Sequence, residues 1–254
     1  CSGLEEAHSA VLSILGNRGP DGRLVSQALL EEYISGTEFA INLLVCSDDI
    51  VVSDIWKYEK NSKAQYGSAE ICNPENFSEL ISYAKEVAKS VGIRYGAAHV
   101  EMKARKREKV STRRTLNTEE FSYVDPALME VGARLSGGRK ASMMQALGYD
   151  PFGMLIKAHC GDPIQPINDF IPNQFVRHLF LPVKTGGKVQ EIRHFDKWSL
   201  VALHSWTILV HVGDVVPKTT DITSCAGFVW LIGNRSQVDK DTDEILSKFE
   251  VIVK

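Results

Sequence analysis

The sequence has 254 residues, with 29 lysines and arginines against 32 aspartates and glutamates, and a net charge of −3. This length allows one large or two small domains with a real core, and the charge gives no sign of a nucleic-acid or anionic-membrane partner. No apolar run approaches the roughly 20 residues that cross a bilayer, and five scattered cysteines without a Cys-x-x-Cys pair argue against zinc and disulfides. We therefore expect a cytoplasmic protein.

The first third of the chain predicts a helix and then a β-hairpin. Apolar residues recur at helical spacing from Ser2 to Leu15, and glycine, proline and aspartate predict a loop over residues 16–22. Two strands, Phe39 to Cys46 and Ile50 to Tyr58, flank a turn of two aspartates. The polar segment 61–72 is predicted to be a loop.

A packing helix and a strand follow. Asn73 is a good N-cap, Pro74 suits the first helical position, and the apolar spacing continues to Val91. The next strand, Ile93 to Ala104, places Ala97, His99 and Glu101 on one face, because side chains alternate along a strand.

A second strand with charged residues is predicted from Ala127 to Ala133, and we expect it to be buried. Its alternation places Glu130 and Gly132 on the same face as Arg134. An internal salt bridge at a strand end is the simplest interpretation of Glu130 and Arg134, since buried charges are usually paired.

The second carboxylate, Glu101, makes another interpretation attractive. The simplest topology makes the two strands antiparallel neighbours joined by a long polar connection, so Glu101 and Glu130 would converge. Two adjacent carboxylates need a cation between them or a proton on one of them. An all-oxygen site suits Mg²⁺ held jointly with phosphates, and Arg134 could clamp a phosphoryl or carboxylate oxygen. His99 could orient Glu101, approach a substrate, or be a hydrogen-bonded core histidine.

The connection between these strands is basic from Lys103 to Arg114. Charge runs in loops are mostly solvated, and no aromatic residues interleave as in a single-strand nucleic-acid platform. The alternative is that one of these residues reaches a triphosphate.

The remainder predicts a turn, two helices and a set of short strands. Residues 135–138 form the turn, helices follow over 139–147 and from Asp150 to Ala158, and residues 161–173 form a connector. Further helices are predicted at 195–203 and 237–249, and the strands are expected at 175–183, 188–192, 205–212 and 227–232. We find no catalytic pattern here: His178, His194, His204 and His211 lack ligand spacing, and Trp198, Trp206 and Trp230 suit packing.

Glu101, then Glu130-x-x-x-Arg134 with Ser-Gly-Gly after it, resemble the metal-binding strands of the ATP-grasp superfamily. The run Glu-Val-Gly-Ala-Arg-Leu-Ser-Gly-Gly is most similar to its carboxylate–amine ligases, the L-amino-acid or dipeptide ligase group. The superfamily often has an asparagine ligand where this chain has Gly132, which removes one metal ligand.

The resemblance implies specific roles. Glu31 would accept from the adenine amino group, the backbone of Glu32, Tyr33 and Ile34 would meet the base edge, and Glu38 would accept from the ribose hydroxyls. Glu38 could otherwise be a solvent-facing charge at a strand start. The remaining implied roles are Mg²⁺ or Mn²⁺ on Glu101 and Glu130, the acyl-phosphate on Arg134, and substrate contacts from His99, Ser136, Gly137 and Gly138.

The implied fold class is α+β, with a partial ATP-grasp domain over 1–160 (an antiparallel sheet with helices) and a small α/β lid subdomain over 161–254. Residues 212–217 resemble that lid. The loop at 16–22 lacks lysine and does not match the family's glycine-rich phosphate loop. We therefore expect the C-terminal part of a ligase, weakly active by itself.

The implied reaction activates a carboxylate with ATP as an acyl-phosphate and joins it to an amine, releasing ADP and phosphate. The partners would be small-molecule carboxylates and amines, and a homodimer is left open. The alternatives are another ATP-grasp chemistry, such as a biotin-carboxylase-like or ribonucleotide-synthesis activity, or a nucleotide-binding module without catalysis.

Overall fold

The computed structural model describes residues 1, 3–19, 21–62, 65–108, 121–165 and 174–254. The chain divides into two compact units, Cys1–Ile34 and Ser35–Lys254. The first unit contains the predicted N-terminal helix, α1 (Leu4–Ile14), none of whose residues is buried. An isolated bridge between Arg18 and Leu24 closes the loop that follows it. No described helix has the length and apolar character required to cross a membrane.

The strands of the second unit are β1 (Thr37–Cys46), β2 (Asp49–Lys60), β3 (Tyr66–Ile71), β4 (Tyr95–Glu108), β5 (Phe121–Gly132), β6 (Phe175–Leu181), β7 (Gly187–Arg193), β8 (Leu203–Ile208), β9 (Val215–Val216), β10 (Gly227–Gly233) and β11 (Glu250–Val253). They form an eight-stranded sheet in the order β5-β4-β1-β2-β3-β6-β10-β8 and a three-stranded sheet in the order β11-β7-β9. The helices of this unit are α2 (Ser78–Ser90), α3 (Lys140–Ala146), α4 (Pro151–Cys160) and α5 (Arg235–Lys248). Every strand pair is antiparallel, and the predicted α+β class is confirmed.

The predicted hairpin of β1 and β2 forms the middle of the large sheet. Strand β1 is buried along almost its whole length, because both faces of the sheet are covered. On one face, Phe39 packs against Phe77, the residue that precedes α2, with ring centroids 5.4 Å apart. The other face carries the polar side chains described below.

Strand β5 differs from its prediction. Among the described strands it pairs only with β4, at the edge of the sheet; residues 127–133 are exposed or half-buried, and the expectation of a buried strand is wrong. It also begins at Phe121, before Pro126, because the ladder skips Asp125 and Pro126 in a bulge. Proline is tolerated on an edge strand, where its missing N–H is not needed.

The basic run also differs from its prediction. Strand β4 continues to Glu108, so Lys103 to Arg107 lie on a strand, not in a loop. Lys103 is only 8% exposed, and Arg105 Nε donates to Asp125 on β5 at 2.9 Å. Lys109, Arg113 and Arg114 lie outside the described residues, and their predicted solvation is untested.

Segment 61–72, predicted to be a loop, contains β3. Its polar residue Glu70 is buried because Arg177, on the neighbouring β6, donates to it through Nη2 at 2.5 Å. The helix predicted from Asn73 is divided into a 3-10 turn, Pro74–Asn76, and α2.

The C-terminal part contributes β6, β10 and β8 to the large sheet through the pairing of β6 with β3. Helix α5 and the four predicted strands are present, but the helix predicted at 195–203 is wrong. Strands β9 and β11 were not predicted. The connector residues 166–173 lie outside the described residues, and the domain division at residue 160 stays a prediction.

Candidate active site

One face of the large sheet brings the two predicted metal carboxylates together. Glu101 on β4 and Glu130 on β5 are direct cross-strand partners. Residues directly opposite each other point to the same face, with Cβ atoms about 4.5–5.5 Å apart. The predicted antiparallel pairing is therefore confirmed, and one small ion could contact both carboxylates. We call this side of the sheet the carboxylate face.

Glu101 is held as an ionised carboxylate. His99 Nε2 lies 3.0 Å from its Oε1, and the Tyr58 hydroxyl donates to the same oxygen at 3.5 Å. The hydrogen bond from His99 lowers the pKa of Glu101, partial burial opposes it, and the charges of Lys140 and Arg134 help to lower it further. His99 is buried and contacts both Asn42 and Glu101, which agrees with two of its predicted alternatives, a residue that orients Glu101 and a hydrogen-bonded core histidine.

Glu130 and Arg134 form an exposed pair. Arg134 Nη2 lies 3.5 Å from Glu130 Oε1, and the side chains are 50% and 61% exposed. The predicted salt bridge is therefore present, but it is not internal, because the edge strand leaves both groups in water. Exposed pairs of this kind are worth about 0–1 kcal/mol, so either partner can turn toward a ligand at little cost.

Gly132 explains where the Arg134 side chain lies. A Cβ added to Gly132 would be 3.2 Å from Arg134 Nε. The guanidinium thus occupies the space next to Glu130 that a larger residue at this position would need. The absence of a side chain at Gly132 therefore permits the close approach of Arg134 to Glu130.

Lys140 is a residue that sequence reasoning missed. It is the first residue of α3 and only 6% exposed, and its Nζ donates to the Tyr58 hydroxyl at 3.2 Å. Burial lowers its pKa to about 8, against the opposing effect of Glu101 and Asp54. Among the described residues, no carboxylate lies within ion-pair distance of Nζ. Its position at the start of a helix, next to the apolar residues Ala141, Met143 and Met144, could have indicated from the sequence that this lysine is buried.

Glu38 lies on the carboxylate face and is 7% exposed, so the alternative of a solvent-facing charge is wrong. Lys60 Nζ lies 2.6 Å from Oε2, and the Tyr66 hydroxyl donates to Oε1 at 2.7 Å. Burial is the main cause of a raised pKa at Tyr66, and the Glu38 carboxylate adds to it. The ribose-binding role of Glu38 stays a prediction.

The four residues of the predicted adenine segment belong to the first unit. Glu31, Glu32 and Tyr33 are exposed, Ile34 is half-buried, and none lies in a helix or strand. Their nucleotide-binding role stays a prediction.

The predicted substrate turn follows β5. Ser136 is 9% exposed, Gly137 is exposed, and Gly138 has a φ of 64°. The Ser136 hydroxyl has no hydrogen-bond partner among the described atoms. A Cβ at Gly138 would be 3.7 Å from His178 Cε1, so the turn lies against His178 on β6.

His178 is a second residue that the sequence reasoning set aside. Its ring stacks on Trp230 with centroids 3.9 Å apart, and its buried Nδ1 has no partner in the described part of the chain. Burial, followed by the charge of Lys140, lowers its pKa to about 2. His178 is therefore a neutral ring beside the substrate turn.

The carboxylate face suits a cation that completes its coordination elsewhere. Within the described residues, no group of three or more histidine, cysteine, aspartate or glutamate side chains could hold a metal ion. Two carboxylates, Glu101 and Glu130, are the protein ligands in reach. Mg²⁺ is commonly bound through one or two carboxylates together with substrate phosphates and water, so the residues present fit that group.

Comparison with known proteins gives the same fold. Residues 5–114 match the ATP-grasp domain family. The chain is 22% identical over 253 residues to dapdiamide A synthase of Enterobacter agglomerans, covering 95% of this chain and 56% of that protein. The L-amino acid ligase from Bacillus licheniformis superposes with a TM-score of 0.66 at 18% identity, covering 87% of this chain and 55% of that one.

A third protein is similar in structure. The phosphoribosylglycinamide synthetase from Anaerococcus prevotii superposes with a TM-score of 0.58 at 14% identity, covering 88% of this chain and 55% of that one. At these identities the structural matches show the fold. The chain spans about half the length of each of the three proteins.

Proposed function

We propose that this chain is the metal-binding part of an ATP-dependent carboxylate–amine ligase of the ATP-grasp superfamily, a proposal that its similarity to the ATP-grasp domain family, to dapdiamide A synthase and to an L-amino acid ligase supports. One observation carries the proposal: Glu101 and Glu130 are direct partners on one face, with Arg134 Nη2 3.5 Å from Glu130. A cation and a guanidinium at one place are what a transferring phosphoryl group requires.

The proposed reaction has two steps. An oxygen of the substrate carboxylate attacks the γ-phosphorus of ATP, the bond to ADP breaks, and an acyl-phosphate forms. The nitrogen of an amine then attacks the acyl carbon, phosphate leaves, the amine loses a proton, and an amide remains. Mg²⁺ or Mn²⁺ bound to Glu101 and Glu130 would neutralise charge on the phosphoryl oxygens.

The side chains of this chain supply the rest of the electrostatic stabilisation. In this proposal Arg134 would donate to the acyl-phosphate or to the tetrahedral species that follows it. Lys140 adds a second positive charge beneath Glu101, without a carboxylate partner at contact distance. The turn from Ser136 to Gly138 offers a buried hydroxyl and backbone N–H groups to the acyl substrate, beside the neutral ring of His178.

The nucleotide is expected on the same face. Glu38 lies in the neighbouring row of side chains, where it would accept from ribose hydroxyls after exchanging one of its present partners, Lys60 or Tyr66. The adenine-binding role of Glu31, Glu32, Tyr33 and Ile34 stays a prediction from the resemblance. The partners are small-molecule carboxylates and amines, and a cytoplasmic location and a homodimer stay predictions.

The test is release of ADP and phosphate from ATP when the protein is given a carboxylate and an amine together. The proposal requires that product release depend on the amine. Release that depends on bicarbonate instead would favour the biotin-carboxylase-like alternative. Nucleotide binding without any product would favour the module without catalysis.

A further inference from the structure

A chain of buried polar side chains leads from Glu101 into the core of the sheet. His99, Asn42 and Asp54 follow one another on β4, β1 and β2 and are direct cross-strand partners. They are 3%, 2% and 2% exposed. A β-bulge after Asn42 shifts the register there, which gives Asp54 its place opposite Asn42.

Asp54 determines which atoms donate and which accept along this row of hydrogen bonds. Its carboxylate accepts from Ser53 Oγ at 2.7 Å and from Trp56 Nε1 at 2.5 Å. It also accepts a short hydrogen bond from Asn42 Nδ2. The Trp56 indole N–H can only donate, so Asp54 Oδ1 is an acceptor, and the Asn42 amide must turn its nitrogen toward this oxygen and its oxygen toward His99.

The Asn42 oxygen in turn fixes the His99 ring. Nδ1 of His99 donates to Asn42 Oδ1 at 2.6 Å. Nε2 faces Glu101 Oε1 at 3.0 Å, and the ring donates to both neighbours when each of its nitrogens carries a proton. Each side chain in this hydrogen-bonded row is thus oriented by the next one. The row ends at the Asp54 carboxylate, which three donors hold in place.

We propose that Asn42 and Asp54 are positioning residues for the metal site: they hold the His99 ring, and through it the Glu101 carboxylate, in the orientation that binds the cation. The inference rests on the proposed metal role of Glu101. Outer partners of metal ligands typically change metal affinity by about 10–100-fold when they are removed, because they fix the direction of the ligand's lone pairs.

A structural network would behave differently, and the chain offers a matched control. Thr242 on α5 is 9% exposed and accepts from Arg177 Nη1 at 2.8 Å, on the opposite face of the sheet. Thr242→Val removes two buried hydrogen bonds, from Arg177 and to the Val238 carbonyl oxygen, without touching the carboxylate face. Both Thr242→Val and Asn42→Leu should lower stability.

The experiment measures Mn²⁺ binding to the whole chain by electron paramagnetic resonance, with ADP present, and checks each variant by circular dichroism. We expect Asn42→Leu to bind Mn²⁺ about 10–100-fold more weakly, and Thr242→Val to bind it as the wild type does. Asn42→Ser, too short to contact both neighbours, replaces Asn42→Leu if the latter does not fold and should weaken binding similarly.

Unchanged Mn²⁺ affinity in the folded Asn42 variant overturns this inference and leaves the proposed function intact. A wild-type protein that binds no Mn²⁺ with ADP overturns the proposed metal role of Glu101, and the inference falls with it. The two failures are therefore distinguishable in one set of titrations.

Discussion

The buried ammonium of Lys140 is expected to lower the stability of the folded protein while it serves the proposed active site. This residue is only 6% exposed, and burial lowers the pKa of its ammonium from 10.5 to about 8. At about 1.4 kcal/mol per pKa unit, holding the proton there costs the folded protein on the order of 3 kcal/mol. Replacing the ammonium with an apolar side chain of similar length removes that cost.

The sign of the effect follows from proton binding. Above the unfolded pKa both states are neutral and there is no penalty. Between about pH 10.5 and 8 the unfolded chain binds the proton and the folded chain does not, so stability falls as the pH falls. Below pH 8 both states are charged and the whole penalty is present. Lys140→Met should therefore be more stable than the wild type at pH 7.

Loss of the hydrogen bond to Tyr58 takes away about 1 kcal/mol, so the expected net gain is about 2 kcal/mol at pH 7. For a chain of this size that is a rise in Tm of about 4–8 °C. The same variant should lose ligation activity, because the positive charge beneath Glu101 is gone.

The assay is urea unfolding of wild type and Lys140→Met at steps from pH 7 to pH 10.5, with Lys157→Met, at an exposed lysine of α4, as the control. The stability difference between Lys140→Met and the wild type should shrink as the pH rises through this window. A variant that is less stable than the wild type at pH 7, or a difference that does not vary with pH, would refute the reasoning. Lys157→Met should show neither effect.

Three further predictions address the site and its frame. Glu130→Gln should lower the ligation rate by at least about 10²-fold with an unchanged Tm, because this side chain is 61% exposed; a fully active variant contradicts the metal role. Gly36→Ala should destabilise the chain by about 1–3 kcal/mol in urea unfolding, because its φ is 133° and the new Cβ would lie 2.7 Å from the Ala104 carbonyl oxygen; unchanged stability contradicts this. Glu101→Gln should make the free energy of unfolding fall less steeply as the pH is lowered. The lowered pKa of Glu101 stabilises the folded protein above the unfolded pKa near 4.5, and this stabilisation is lost as the pH falls through the folded pKa. An acid unfolding curve identical to that of the wild type would count against it.

The carboxylate pairing could be predicted because it depends on local patterns. Alternation along each strand fixes which residues share a face, and the order of the strands leaves an antiparallel neighbour as the simplest arrangement for Glu101 and Glu130. The direct partnership of these residues in the register agrees with that logic.

Burial was harder to predict, because it depends on residues that are distant in sequence. The sequence around Glu70 is typical of a loop, and its burial depends on an ion pair with Arg177 on β6, a residue distant in sequence. Strand β5 was expected to be buried because of its apolar residues, but its position at the sheet edge exposes them. Whether a strand lies at the edge or in the centre depends on the order of all strands in the sheet, so it cannot be determined from the sequence of one strand.

Lys140 and His178 were missed for a related reason. Neither has a spacing pattern, and each joins the site through the path of the chain: Lys140 through α3 and His178 through the pairing of β6 with β3. Their altered pKa values arise from tertiary burial.

The central claim, that Glu101 and Glu130 hold one shared cation, is tested most directly by a double-mutant cycle on Mn²⁺ affinity with ADP present. The proteins compared are wild type, Glu101→Gln, Glu130→Gln and the double variant. A shared ion predicts that each single change weakens binding strongly and that the two losses are far from additive. Losses that simply add, or single variants that bind Mn²⁺ as tightly as the wild type, would contradict it.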